Sequence, residues 1–234
     1  CALPICLSTM KIYAHRGFSG KFPEGSRKAY DEAAKIGADG IECDVRFTKD
    51  KILVCFHDST TERITGKPGR VSQLSLAEMR NRYDLITLEE LITFAIAKRI
   101  NLLIETKHPV SMGRKVEREV LRLLDQRKKE IQASGIRIIV FTFSYWAARY
   151  LSHRYSDAGY VIKKPWRIRF CPTKLIALGY WLLKGNSELE KSLINRELFL
   201  WTLNTSEDIE WAKRTRASGL ITNFPDVAKE VLGH

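Results

Sequence analysis

The sequence predicts an α/β fold, a (β/α)8 barrel of the TIM type, and three observations lead there. Eight short β-like runs occur along the chain, mostly separated by helix-like stretches, which is the pattern of parallel strands joined by crossover helices. The length, 234 residues, suits an α/β barrel built as one domain. Ionisable side chains also recur at the carboxyl ends of neighbouring strands, the end at which such barrels carry their chemistry. A doubly wound open sheet would show the same alternation, but no glycine-rich phosphate loop follows the first strand.

The elements follow in order. Lys11–Ala14 is the first strand, with His15-Arg16-Gly17 at its carboxyl end. Gly17, Gly20 and Pro23 mark a loop, and Ser26 caps a helix reaching about Ile36, with Ala29, Tyr30, Ala33, Ala34 and Ile36 as its apolar stripe. The strands Gly40–Arg46 and Ile52–Phe56 are joined by a turn at Lys49-Asp50. That turn leaves no room for a helix, so the helix between strands 2 and 3 is missing. Residues 58–86 read as a polar loop insertion with one short helix near Leu76–Arg80.

Thr87 caps the helix Leu88–Arg99, and Asn101–Ile104 is the next strand, ending in Glu105-Thr106-Lys107. Val116–Ile131 is a charged amphipathic helix. Then come strand Ile136–Phe141, a helix from about Trp146 and strand Gly159–Ile162. Residues 163–184 interleave basic side chains with Trp166, Phe170, Tyr180 and Trp181, and read as a long loop and helix covering the barrel. Strand Leu198–Leu203, helix Glu207–Ser218, strand Gly219–Thr222 and helix Asp226–Leu232 complete the chain. A single catalytic domain is therefore expected over residues 11–234, preceded by an N-terminal extension, Cys1–Met10. That extension is apolar but too short for a signal peptide and lacks a basic start.

Composition limits the function classes. A hydrophobic fraction of 44% is ordinary for a globular protein. The five cysteines have no CxxC spacing, so a reduced, cytoplasmic protein without structural zinc is expected. No run approaches the roughly eighteen apolar residues of a spanning helix. The net charge of +12 favours anionic partners, yet the positive charge is scattered and no nucleic-acid-binding motif appears, so no nucleic acid partner is expected. No obligate protein partner is evident either.

The stretch Asp39–Arg46 organises the site. Ile41, Cys43 and Val45 point to one face of a strand, Glu42 and Asp44 to the other. Two carboxylates two residues apart stand about 6.6 Å from one another and repel by about 2.5 kcal/mol at an effective dielectric near 20. Inside a barrel a compensating cation is needed, and a hard divalent metal on carboxylate oxygens supplies one. The neighbouring strand ends add His15, Arg16, His57, Glu105 and Lys107, making seven ionisable groups.

With those residues in view, the chain resembles the glycerophosphodiester phosphodiesterase family. The match runs through His-Arg-Gly at 15–17, Pro23-Glu24, Gly-Ala-Asp ahead of Ile41–Val45, Thr48-Lys49-Asp50 and His57-Asp58. It continues through Leu85–Leu91, Ile104–Lys107, Trp201–Asn204 and Gly219–Pro225, in the expected order. The resemblance implies a barrel and a divalent cation, Mg²⁺ or Ca²⁺, on Glu42, Asp44 and Glu105. It implies His15 and His57 as the acid/base pair, with Arg16 and Lys107 on phosphate oxygens.

Trp201 is read as an apolar wall beside glycerol or, equally, as core packing. The implied reaction converts a small-molecule glycerophosphodiester, such as glycerophosphocholine or glycerophosphoethanolamine, to sn-glycerol 3-phosphate and the alcohol. Two departures from the family pattern stand out: Gly25-Ser26 where Asn-Thr is usual, and Asn223 where Asp is common. Neither is expected to touch the seven site residues. The alternative is a lysophospholipase D-like activity on membrane lysophospholipids, with weak anionic membrane-surface contact through residues 163–184.

Overall fold

Strand pairing closes a ring. In a computed structural model of the chain, which describes residues 10–108 and 113–233, nine strands form: β1 Lys11–His15, β2 Gly40–Phe47, β3 Leu53–Cys55, β4 Asn101–Thr106, β5 Ile138–Thr142, β6 Ala158–Ile162, β7 Leu175–Gly179, β8 Glu197–Trp201 and β9 Gly219–Thr222. Eight of them are parallel and run β1-β2-β4-β5-β6-β7-β8-β9, with β9 pairing back onto β1. This is the (β/α)8 barrel the sequence predicts.

The ring's membership differs from the sequence reading in one exchange. The run at residues 52–56 is not a stave: β3 lies antiparallel on β2 as the return arm of a hairpin, which is why no helix separates them. The eighth stave is β7, inside the stretch read as covering loop. All five of its residues are buried. A parallel strand covered on both faces has no polar alternation to reveal it.

The ten α-helices of the described residues are α1 Arg27–Lys35, α2 Glu62–Thr65, α3 Leu76–Arg80, α4 Leu88–Lys98, α5 Lys115–Gln126, α6 Lys128–Ser134, α7 Tyr145–Ser152, α8 Ser187–Ser192, α9 Ser206–Ala212 and α10 Pro225–Leu232. Ser26 caps α1 through the Ala29 N–H, and Thr87 forms a reciprocal capping box with Glu90 at α4. The helix expected over Val116–Ile131 is broken at Arg127 into α5 and α6. Residues 1–9 of the expected extension lie outside the described residues, while Met10 is buried. No helix of the described residues is long and apolar enough to cross a membrane.

The barrel is filled, not hollow. Tyr13, Leu103, Ile139, Phe141, Val161, Leu175, Ala177, Phe199 and Ile221 form its interior layers, and Phe199 stacks edge-on with both Tyr13 and Phe141. Burying each such aromatic contributes about 1.5–3 kcal/mol. Gly159 makes room for this packing, since a Cβ there would stand 2.0 Å from the Phe141 ring. At the amino end Arg137 pairs with Asp157 and Glu197, tying β5, β6 and β8 together. The carboxyl end is left for chemistry.

Candidate active site

Strand register builds the centre. Pairing of β1 with β2 sets His15 opposite Glu42, and pairing of β2 with β4 sets Asp44 opposite Glu105. Ile41, Cys43 and Val45 pack outward with Leu102 and Ile104 in the layer beneath the helices. Glu42, Asp44 and Glu105 consequently turn inward, as the period of two requires. Each offers an oxygen, and these oxygens lie within 4.8 Å of one another.

Just past β1, Arg16 (φ +54°) and Gly17 (φ +76°) turn into the left-handed region. A Cβ on Gly17 would press on the Ala29 backbone at 2.6 Å, so the turn needs glycine. The turn aims the Arg16 N–H at Glu42 Oε2 (3.0 Å) and brings its Nε to 2.9 Å from Asp44 Oδ2. Lys107 lies 2.7 Å from Asp44 Oδ1 and also pairs with Glu105. Each Asp44 oxygen thus faces one cationic side chain.

The electrostatics reflect crowding. Burial, reinforced by the Asp44 and Glu105 charges, raises Glu42 well above the ordinary carboxylate range. Burial and the Asp44 charge push Glu105 up to about 7. Burial would raise Asp44 too, but Lys107 and Arg16 outweigh it and hold the group low. Three carboxylates this close cannot all ionise without more positive charge.

A divalent cation fits that need. Oxygens that ligate one Mg²⁺ or Ca²⁺ at about 2.0–2.6 Å can be no more than about 5 Å apart, and the triad meets this limit. The all-oxygen donor set of Glu42, Asp44 and Glu105 suits such a hard ion.

Two histidines flank the triad. His15 Nδ1 bonds Asn223 Oδ1 at 2.6 Å, leaving Nε2 facing inward, 3.9 Å from Glu42 Oε2. Burial and the adjacent Arg16 lower its pKa to about 4. His57 stands two residues beyond β3 rather than at the end of a barrel stave. The hairpin carries it in: Phe56 N–H donates to the Asp44 carbonyl, and Arg46 Nε donates to the His57 carbonyl. His57 Nδ1 lies 2.6 Å from Asp58 Oδ1. Burial lowers its pKa, against the opposing charge of Asp44 and the Asp58 bond.

A cavity of about 140 Å³ opens over these groups, lined by both histidines, Glu105 and Lys107 on one side and by Phe143, Lys163 and Trp201 on another. Trp201 lines the cavity and also packs edge-on against Phe143 and Trp181.

Several neighbours escaped the sequence reading. Asn223 touches His15 directly, so the expectation that this departure leaves the site residues alone is corrected. β9 lies beside β1 with Thr222 opposite Ala14, which delivers the next residue to His15. Arg63, from the insertion, bonds both Asp58 and Glu24, while Glu24 also pairs with Arg16. A lone arginine in a polar loop carries no sequence signal. Phe143 and Lys163 follow β5 and β6, where the strand-end rule finds them once those strands are placed.

A closed barrel with carboxylates, histidines and cations gathered at its carboxyl mouth places the chain among TIM-barrel enzymes. Comparison with known proteins makes this specific. The sequence model of the glycerophosphoryl diester phosphodiesterase family matches residues 15–227. A Mycobacterium tuberculosis protein named probable glycerophosphodiester phosphodiesterase 1 is 30% identical, over 93% of this chain and 90% of its own. The glycerophosphodiester phosphodiesterase of Caldanaerobacter subterraneus is 26% identical over 92% and 94%.

Among solved structures, the Thermotoga maritima glycerophosphodiester phosphodiesterase superposes with a TM-score of 0.79 at 23% identity, covering 97% of this chain and 99% of that one. An Oleispira antarctica phosphodiesterase, solved with its product sn-glycerol-3-phosphate, gives 0.79 at 18% identity over 96% and 97%. The chain belongs to the glycerophosphoryl diester phosphodiesterase family and is a phosphoric diester hydrolase.

Proposed function

We propose that this enzyme hydrolyses small glycerophosphodiesters to sn-glycerol 3-phosphate and the free alcohol, using His15 and His57 for proton transfer and a divalent cation on Glu42, Asp44 and Glu105. The observation that carries the reading is the placement of two histidines beside a carboxylate triad, with Arg16 and Lys107 alongside. The Oleispira relative's bound product supports the choice of product.

Held by Glu42, Asp44 and Glu105, a divalent cation would supply electrostatic stabilisation to the phosphoryl oxygens. Arg16 and Lys107 add two fixed positive charges for the non-bridging oxygens. A bond from the attacking oxygen to phosphorus forms while the bond to the alcohol oxygen breaks. One proton must leave the nucleophile and one must reach the alkoxide. His15, kept neutral by burial and Arg16, accepts the first through Nε2. His57, oriented by the Asp58 carboxylate at its Nδ1, delivers the second. Trp201 and Phe143 wall the organic substituent.

Exposed Trp166 and Trp181 among the basic residues of 163–184 support lysophospholipids as a second substrate class. The test is release of glycerol 3-phosphate from glycerophosphoglycerol and glycerophosphocholine, with EDTA and after restoring Mg²⁺ or Ca²⁺. Activity abolished by chelation, restored by metal and absent in Glu42→Gln is expected. Turnover that survives EDTA would overturn the metal assignment. Cleavage of lysophosphatidylcholine alone would select the second class.

A further inference from the structure

The surface around the mouth is basic and aromatic. Trp146, Trp166, Phe170 and Trp181 are between 49% and 64% exposed. They follow the carboxyl ends of β5, β6, β6 and β7 respectively. Trp146, Trp166 and Trp181 therefore stand at the end of the barrel where the catalytic cavity opens, and Phe170 closes the 3-10 turn Pro165–Phe170 that descends from that rim. Among the described residues the remaining large exposed apolar side chain, Ile194, precedes β8 at the opposite end. Exposed tryptophans gathered on one rim are not what scattered surface exposure produces.

Charge accompanies them. From Ala158 to Ser187 the sequence holds Lys163, Lys164, Arg167, Arg169 and Lys184 after strand carboxyl ends, Lys174 directly before β7 at the opposite end, and no acidic residue. Lys184 pairs with Asp208. Lys163, Lys164, Arg167 and Arg169 form no ion pair among the described residues. Arg167 instead donates to the Phe143 carbonyl, fixing this turn beside the start of α7, which carries Trp146. Lys163 reaches inward over the Phe143 and Trp201 rings, so the basic rim is continuous with the cavity wall.

We infer that this rim is a docking surface for anionic lipid bilayers, with the catalytic mouth facing the headgroups. Amphipathic indole rings settle at the headgroup level, and unpaired lysine and arginine side chains are drawn to an anionic leaflet within about a Debye length. The segment 165–170 is a short 3-10 turn, so its side chains would enter the interface with no spanning element. Binding is read without turnover, so this inference stands apart from the catalytic reading.

The test is co-sedimentation of the full chain with vesicles of phosphatidylcholine alone and of phosphatidylcholine mixed with phosphatidylglycerol. Binding to the mixed vesicles only, weakened by salt, is expected. Trp166→Ala/Phe170→Ala and Lys164→Glu/Arg169→Glu should each lower the affinity at least about tenfold. Glycerol 3-phosphate release from a soluble diester, measured in parallel, checks that these variants fold. Equal binding to both vesicle types, no binding, or unchanged affinity in both variants would overturn the inference. So would tighter binding to a single-stranded oligonucleotide, lost in the same variants, which would make the rim a nucleic-acid surface.

Discussion

His15 and Asn223, 208 positions apart in sequence, are joined by a 2.6 Å hydrogen bond between Nδ1 and the side-chain oxygen. The same oxygen accepts from Ser19 Oγ, and the Asn223 N–H is held by Asn204 Oδ1. The amide thus fixes both the tautomer and the tilt of the imidazole. Asn223→Ala should lower kcat about ten- to hundredfold, a fraction of what acid/base catalysis contributes, with KM within about twofold. Steady-state kinetics on glycerophosphoglycerol reads this split. A loss confined to KM would mean that Asn223 contacts substrate instead.

That bond also marks how far the sequence could be read. The inward turn of Glu42, Asp44 and Glu105 was legible because strand period alone decides it. His57 is read as the end of a stave whereas it arrives on a hairpin arm, because an arm and a stave look alike in a five-residue apolar run. β7 was hidden for a related reason: Leu175–Leu178 is apolar on both faces and continues almost unbroken into Tyr180–Leu183. Asn223 was noticed as a departure, but its contact depends on β9 closing against β1, and ring closure is a tertiary fact.

Metal binding should be visible without turnover. A ligand at a hundred times its Kd stabilises the native state by about 2.7 kcal/mol, which in a chain of this size raises Tm by about 5–10 °C. Mg²⁺ or Ca²⁺ added to EDTA-stripped protein is expected to give such a shift. Glu105→Gln should abolish it. A shift of equal size in that variant would place the ion elsewhere.

The barrel interior should tolerate no extra volume at Gly159. Gly159→Ala forces its methyl against the Phe141 ring, and overpacking of this kind costs about 1–3 kcal/mol. Urea denaturation should show the loss, with part of it recovered in Gly159→Ala/Phe141→Leu. Full stability in the single variant would contradict the packing described here.

Glu90 supplies a pH-dependent element remote from the site. Burial opposes its ionisation. The Thr87 cap, Arg27 and Arg80 overcome this, and its pKa falls from 4.5 to about 2. A depressed folded pKa favours the ionised native state, so the stabilisation is complete above the unfolded value and disappears as pH falls from about 4.5 towards 2. Glu90→Gln should therefore lower Tm by a few degrees at pH 7, and the difference from wild type should vanish near pH 2. A constant difference across that range would show that the charge is not responsible.

The central claim is that His15 and His57 divide the proton transfers of phosphodiester cleavage, and leaving-group dependence tests it most directly. The measurement is kcat/KM of wild type, His15→Ala and His57→Ala on glycerophosphocholine and on the analogous nitrophenyl diester, whose leaving group needs no proton. Both variants should lose at least about a hundredfold on glycerophosphocholine. On the nitrophenyl diester His57→Ala should recover most of its rate while His15→Ala should not. Near-wild-type turnover of glycerophosphocholine by either variant would contradict the account, and recovery by His15→Ala alone would reverse the two roles.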